Sequence, residues 1–164
     1  ECNPLFCPCQ ENCDNQRFQK CQYPQVAVLK TPKRGWGLFA GQPLKKGDFV
    51  IEYMGEIINQ KAYERRKKQY AKEHNTYFMQ LHTNPFEMID ASRKSSLGRF
   101  LNHSCDPNCE TQRWSSLGET VVGLFTIKDV AKGDELTFDY KMFDGAEAKK
   151  CRCGAPNCRR TLGS

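Results

Sequence analysis

Arg99-Phe100-Leu101-Asn102-His103-Ser104-Cys105-Asp106-Pro107-Asn108-Cys109 gathers two amides, an imidazole, a hydroxyl and two thiols in one short stretch. His103 beside Ser104 or Cys105 makes a poor nucleophilic pair, because adjacent residues rarely orient one another as a catalytic triad does. An Asn-His pair holding a polar ligand through backbone and amide groups fits better. Cys105 and Cys109 add metal-ligand chemistry, and Cys151-x-Cys153-x4-Cys158 answers them near the end of the chain. Those three thiols need a fourth ligand, since a structural zinc site is closed and tetrahedral. Cys105 is a candidate, and spacing alone does not choose it over Cys109. A second cluster opens the chain: Cys2-x4-Cys7-x-Cys9-x3-Cys13, with Cys21 beyond it. Cys-x-Cys pairs suit one metal better than two separate bridges, which argues against a secreted, disulfide-rich domain. Thiolate-only sites leave no position for a catalytic water, so both clusters read as staples of the fold.

The 164 residues are the size of one ordinary domain, large enough to bury a core. Hydrophobic residues make up 38% and the mean hydropathy is −0.72. No apolar run approaches the roughly 20 residues of a membrane span. The residues from Glu1 show no basic-then-apolar pattern of a leader, and a start at Glu1-Cys2 without Met leads us to expect a piece of a longer chain. The net charge of +6 suits a phosphate-bearing or acidic partner. Two zinc ions on four thiolates each would lower it to about +2, so much of the basicity compensates metal sites.

Three textures follow one another. Residues 1–25 are cysteine-rich, residues 26–140 read as ordinary globular sequence, and residues 141–164 return to cysteine, glycine and base. The two ends are too short to bury cores of their own and need a staple. The middle reads as short strands: Val26–Leu29, Phe49–Tyr53, Tyr77–Leu81, Met88–Ile89, Val121–Ile127 and Leu136–Tyr140. Gln60–Glu73 reads as the one helix, free of Gly and Pro, with Tyr63, Tyr70 and Ala71 inward. Lys61, Arg65, Lys67, Lys68 and Lys72 then form a solvated basic face. Lys46-Gly47-Asp48 and Lys132-Gly133-Asp134 echo each other; we read two Gly-Asp turns, each launching a strand that ends near a Tyr. Arg34-Gly35-Trp36-Gly37 lacks the spacing of a phosphate loop. It reads either as a turn with a core Trp, or as a close backbone approach to a ligand on which Trp36 stacks.

Four motifs stand in order: Arg34-Gly35-Trp36-Gly37, Glu52-Tyr53-Met54-Gly55-Glu56, the Arg99–Cys105 stretch, and Glu135-Leu136-Thr137-Phe138-Asp139-Tyr140. Together they resemble a SET-domain protein lysine methyltransferase across essentially the whole chain. The flanking clusters resemble the associated-with-SET (AWS) segment, here 1–25 and N-terminally incomplete, and the post-SET segment, here 141–164, around a SET domain at 26–140. Asn15-Gln16-Arg17-Phe18-Gln19 and Cys109-Glu110-Thr111-Gln112-Arg113-Trp114 resemble the NSD-like subgroup acting on histone H3 at lysine 36. The resemblance implies a β-rich (α+β) fold of small curved sheets around a pseudoknot, with Asn102–Cys105 threaded near the Tyr140 strand. It implies S-adenosylmethionine in a pocket of Arg34, Gly35, Trp36, Thr76, Tyr77, Asn102 and His103, with Arg152 nearby. Tyr140 would be the catalytic tyrosine, and Tyr53, Tyr77 and Phe138 would line a lysine channel. Cys105, Cys151, Cys153 and Cys158 would hold the post-SET zinc. Cys2, Cys7 and Cys13 match AWS ligand positions, and Cys9 either completes that site or is a spare thiol. The link Lys141–Lys150 would lie over the channel as a lid. The implied partner is the histone H3 tail in nucleosomes, with nucleosomal DNA available to the basic helix, inside a larger nuclear chromatin protein.

The chemistry accounts for these residue types. Lysine must be deprotonated to attack a methyl sulfonium, and its ordinary pKa is about 10.4. An apolar aromatic channel and a nearby cation both disfavour the ammonium. Tyr140 would align the amine through its hydroxyl rather than take its proton, since tyrosine phenols ionise only near pH 10. Phe138 cannot donate a hydroxyl to the amine, which leaves room for a second and a third methyl. Glu52, Glu56, Asp90, Asp134, Glu135 and Asp139 read either as negative charge for a basic tail or, near the motif strands, as structural groups, with Asp90 equally suited to capping a turn. Two other classes stand against the enzyme: a non-catalytic chromatin module of the same fold, and a zinc-stapled DNA binder working through helix 60–73. The first would fail to bind S-adenosylmethionine, and the second would bind free DNA with a steep salt dependence.

Overall fold

The computed structural model describes residues 1–70, 77–82, 84–141 and 150–162. Ala71–Glu73 of the expected helix, His74, Thr76 and positions 142–149 of the expected lid lie outside the described residues. The chain forms two compact units, each assembled from separated stretches. One comprises Glu1–Cys21, Ile51–Arg99 and Arg113–Gly123; the other comprises Gln22–Val50, Phe100–Gln112 and Leu124–Ser164.

In the second unit, β1 (Val26–Thr31) pairs antiparallel with β2 (Gly35–Ala40), from Val26 opposite Ala40 to Thr31 opposite Gly35. The glycines of β2 disfavour a strand on propensity, and pairing with β1 overrides that preference. Thr31 closes the hairpin: its Oγ1 accepts the Arg34 N–H at 3.1 Å and donates to Gly35 O at 3.0 Å. Trp36 is not a core residue, being 57% exposed. β10 (Glu135–Phe138) pairs antiparallel with β2 and parallel with β7 (Asn102–His103), setting Thr137 beside Asn102 and Phe138 beside His103. The expected neighbourhood of the Asn102–Cys105 stretch and the Tyr140 strand is therefore present. The sheet order is β1-β2-β10, then β8 (Cys109–Ser116), β9 (Glu119–Thr126) and β3 (Phe49–Glu52).

The Gly-Asp echo resolves into two like turns. Asp48 Oδ2 accepts the Lys45 N–H at 2.7 Å and Asp134 Oδ2 accepts the Ala131 N–H at 3.1 Å. Gly47 and Gly133 both take φ +91°, a left-handed conformation that side chains resist. The turns launch β3 and β10, and Leu44 and Val130 bridge them through two N–H···O bonds of 2.9 Å.

In the first unit, β4 (Glu56–Asn59), β6 (Glu87–Asp90) and β5 (Phe78–His82) form a three-stranded antiparallel sheet. Helix α1 (Gln60–Tyr70) follows β4 directly, with Asn59 Oδ1 accepting the Ala62 N–H at 3.0 Å as its N-terminal cap. Tyr70 is buried and Tyr63 meets Phe78 edge-on at 5.0 Å, as the helical spacing predicts. The helix also turns Arg66 inward. Its Nη1 reaches Asp90 Oδ2 at 2.7 Å and Glu56 Oε2 at 2.9 Å, and the Asp90 side chain is fully buried. Asp90 Oδ1 also accepts the Ser92 N–H at 2.9 Å, so the turn-capping role holds as well. Burial pushes the Asp90 carboxyl up, but Arg66 and Ser92 outweigh it and hold it below its ordinary value. That pair stabilises the fold above the unfolded carboxyl pKa of about 3.9, and its contribution fades as pH falls through the lower folded value. Arg66→Leu strands a buried carboxylate and is expected to cost about 3 kcal/mol. That loss lowers the melting temperature by roughly 6–12 °C for a chain of this size. A fall under 2 °C would show that another group satisfies Asp90.

Candidate functional site

Most of the expected residues meet in the second unit, around β2, β7 and β10. Glu135, first in β10, accepts Arg34 Nη2 at 2.5 Å on Oε2 and Asn102 Nδ2 at 2.8 Å on Oε1. Asn102 Nδ2 also donates to Trp36 O at 3.1 Å, and Arg34 Nη1 donates to His103 O at 3.3 Å. The Arg34 guanidinium thus serves neighbouring protein groups. Both Asn102 amide hydrogens are committed, which leaves its Oδ1 without a partner among the described residues. The left-handed Gly35, where an added Cβ would meet nothing within 4 Å, and the exposed Trp36 follow Arg34 in sequence.

His103 is 4% exposed and its ring is fully engaged. Nδ1 accepts the Tyr140 N–H at 3.2 Å, so the ring proton belongs on Nε2, which lies 3.3 Å from Cys105 Sγ. Burial holds the imidazole below its ordinary pKa, Asp139 opposes that shift, and Arg159 and Arg34 add to it. A neutral imidazole with one donor and one acceptor therefore joins the Tyr140 backbone to a cysteine sulfur. Tyr140 lies just beyond β10, and its hydroxyl donates to Leu101 O at 2.9 Å. Its ring lies 4.8 Å from that of Phe138 and 5.4 Å from that of His103. With the phenol hydrogen given to Leu101, the oxygen faces any further partner as an acceptor.

Cys105, Cys151, Cys153 and Cys158 bring their sulfurs within 4.8 Å of one another. Cys105 and Cys151 sulfurs stand 3.9 Å apart, against the roughly 3.8 Å edge of a zinc–thiolate tetrahedron with 2.3 Å bonds. The Arg159 and Arg160 N–H groups add hydrogen bonds of 3.4 Å to Cys105 and Cys158 sulfurs. The set fits zinc. Cys109, which spacing could not separate from Cys105, is wholly buried elsewhere and its thiol is pushed up to about 12 by burial. Arg152 is exposed between Cys151 and Cys153. Arg159 clamps Asp139 with two bonds, 2.7 and 2.9 Å, fastening the cysteine tail beside Tyr140.

The first unit holds the remaining residues. Tyr53, just beyond β3, donates its hydroxyl to Tyr77 O at 3.3 Å. The Arg99 guanidinium lies over the Tyr77 ring at 3.8 Å. Cys2, Cys7 and Cys13 gather within 4.8 Å of one another, while Cys9 is exposed and not in that group.

Of the two roles open to the six carboxylates, the structure gives five the structural one. Asp90 is buried against Arg66, Glu135 faces Arg34 and Asn102, and Asp139 is clamped by Arg159. Asp134 closes its turn, and Glu56 pairs with Arg66. These carboxylates serve cations and backbone groups of the protein itself, a use that composition cannot distinguish from free surface charge. Sequence reading missed Glu135 as a hub and Arg159 as a clamp, although each belongs to a motif already quoted or adjoins one of its ligands.

The family model described as SET domain matches residues 35–141. The Homo sapiens protein named "Histone-lysine N-methyltransferase, H3 lysine-36 specific" is 47% identical over 165 residues, which is 99% of this chain and 6% of that protein. Homo sapiens "Histone-lysine N-methyltransferase SETD2" is 49% identical over 160 residues, 96% of this chain and 6% of that protein. Arabidopsis thaliana "Histone-lysine N-methyltransferase ASHH1" is 44% identical over 168 residues, 100% of this chain and 34% of that protein. The chain thus spans between 6% and 34% of the length of these relatives.

Proposed function

Since the chain belongs to the SET-domain family, we propose that it transfers methyl groups from S-adenosylmethionine to lysine 36 of histone H3 in nucleosomes. The observation that carries this reading is the end of β10. There Tyr140, its hydroxyl hydrogen given to Leu101 O, offers an acceptor oxygen beside the Phe138 ring. The names of the similar proteins supply the choice of histone and lysine.

S-adenosylmethionine, when bound, supplies an electrophilic methyl on its sulfonium. Arg34, Gly35, Trp36, Thr76, Tyr77, Asn102, His103 and Arg152 are the proposed binding residues. The exposed indole of Trp36, the open space at Gly35 and the uncommitted Asn102 Oδ1 support that assignment. Tyr140, Tyr53 and Phe138 are the proposed catalytic set. Tyr140 oxygen accepts an N–H of the lysine amine and turns its lone pair toward the methyl, an orientation effect worth several kcal/mol in well-aligned systems, up to about 7–11. Phe138 brings no hydroxyl to the amine, so dimethyl and trimethyl products have room. Zinc on Cys105, Cys151, Cys153 and Cys158, and on Cys2, Cys7 and Cys13, fastens the post-SET and AWS segments. The nucleus is the place of action, in a larger chromatin protein. The exposed Lys61, Arg65, Lys67 and Lys68 of α1 are available to nucleosomal DNA.

The test is incubation with S-adenosylmethionine and recombinant nucleosomes, beside free histone H3, followed by mass-spectrometric site assignment. A dimethyl product at lysine 36 is expected. Methylation at another lysine would overturn the substrate, and failure to bind S-adenosylmethionine would overturn the enzyme.

A further inference from the structure

Resting on that reading, we propose that Glu135 is a positioning residue for the cofactor pocket: its single carboxylate fixes which atom Asn102 presents to the ligand and where Arg34 stands. Glu135 joins three separate pieces of chain. Its two oxygens take Arg34, from the turn before β2, and Asn102, from β7, while Glu135 itself opens β10. Its side chain is only 16% exposed, so these contacts are little diluted by water. Asn108 Nδ2 holds the Glu135 carbonyl at 2.8 Å, which anchors the backbone from which the carboxylate projects.

Gly37 makes the room. A Cβ there would stand 2.7 Å from Glu135 Oε1, 2.9 Å from Thr31 Cγ2 and 3.1 Å from Asn102 Nδ2. The second glycine of Arg34-Gly35-Trp36-Gly37 is therefore required by the carboxylate–amide contact rather than by backbone conformation.

The chemical consequence falls on Asn102. With one amide hydrogen on Glu135 and the other on Trp36 O, the side chain offers only an acceptor outward. A ligand meeting it must bring a donor, as the amino groups of S-adenosylmethionine do. Glu135→Gln changes this polarity. A carboxamide has one acceptor oxygen, and Arg34 and Asn102 both need one. With Gln oxygen on Arg34, its NH2 faces Asn102 Nδ2, donor against donor. Rotating the Asn102 amide relieves that clash and turns Nδ2 outward, where a donor-bearing ligand is repelled. With Gln oxygen on Asn102, the Gln NH2 faces the Arg34 guanidinium, donor against donor, and in either orientation Arg34 loses its counter-ion.

Calorimetric titration with S-adenosylmethionine tests this, alongside KM for nucleosomes at saturating cofactor and the ligand-free melting temperature. Glu135→Gln is expected to raise the cofactor Kd at least tenfold, while the nucleosome KM stays within threefold. A merely structural role would raise both constants together and lower the melting temperature. Wild-type binding matched by Glu135→Gln overturns this proposal and leaves the methyltransferase reading intact. Absence of binding by the wild type overturns both. If Glu135→Gln does not fold, Gly37→Ala decides: its Cβ meets the movable end of the carboxylate, and it is expected to weaken cofactor binding in the same selective way. An unchanged Kd in Gly37→Ala overturns the proposal.

Discussion

Tyr140→Phe is expected to lower methyl transfer by 10²-fold or more while the protein stays folded. The hydroxyl is the only atom removed, and its environment separates its two contributions. As a donor it satisfies Leu101 O, and Leu101 is 1% exposed, so the orphaned carbonyl costs about 1–3 kcal/mol. For a chain of this size that lowers the melting temperature by several degrees, leaving a folded protein at assay temperature. In its proposed role as an acceptor, the same oxygen would align the lysine amine, and misalignment at a reacting centre costs on the order of 10²-fold. Initial rates on nucleosomes, measured beside cofactor binding and thermal melting, separate these effects. Cofactor Kd is expected to change less than threefold. A variant retaining more than a tenth of wild-type rate would remove Tyr140 from the catalytic set.

Zinc removal is expected to have the other large effect, and unequally across the ten cysteines. Four thiolates within 4.8 Å repel one another without a cation, and structural zinc can contribute on the order of 10 kcal/mol to small metal-held segments. The Cys105 set also reaches the proposed catalytic residue Tyr140, just past β10, by two routes. His103 joins Cys105 sulfur to the Tyr140 N–H, and Arg159 joins the tail to Asp139. Cys153→Ser is therefore expected to lose one equivalent of zinc by elemental analysis and to abolish methyl transfer. Cys2→Ser should lose zinc from the other cluster. Cys9→Ser and Cys109→Ala should keep the full zinc content, since neither sulfur belongs to a gathered set. Zinc content unchanged in Cys153→Ser would reject the four-thiolate site.

Some of this was legible in the chain. Strands β1, β3, β5, β6, β9 and β10 announce themselves through β-branched and aromatic runs bounded by turns, and α1 through its freedom from Gly and Pro. Strands β2, β4, β7 and β8 do not. β2 carries two glycines, β7 has only two residues, β4 is two isoleucines between Glu and Asn, and β8 reads Cys-Glu-Thr-Gln-Arg-Trp-Ser-Ser, mostly polar. Their ladders come from neighbours far along the chain, to which a local pattern is blind. Tyr53 and Tyr140 were placed at strand ends by the repeated Gly-Asp turn, and both stand just past β3 and β10.

The sequence by itself determined the chemistry present: ten thiols in spaced clusters, an Asn-His pair, and a tyrosine after a Gly-Asp-launched strand. These are identities and short-range spacings, carried by covalent order. Only the tertiary structure decided pairings across long separations. It chose Cys105 over Cys109, turned Arg66 onto Asp90, and spent the charges of Glu135 and Asp139 on Arg34 and Arg159. A side chain's charge is fixed by its formula, but its partner is fixed by which strand folds beside it. Burial then makes that partner obligatory, because a carboxylate removed from water must find a cation or a donor.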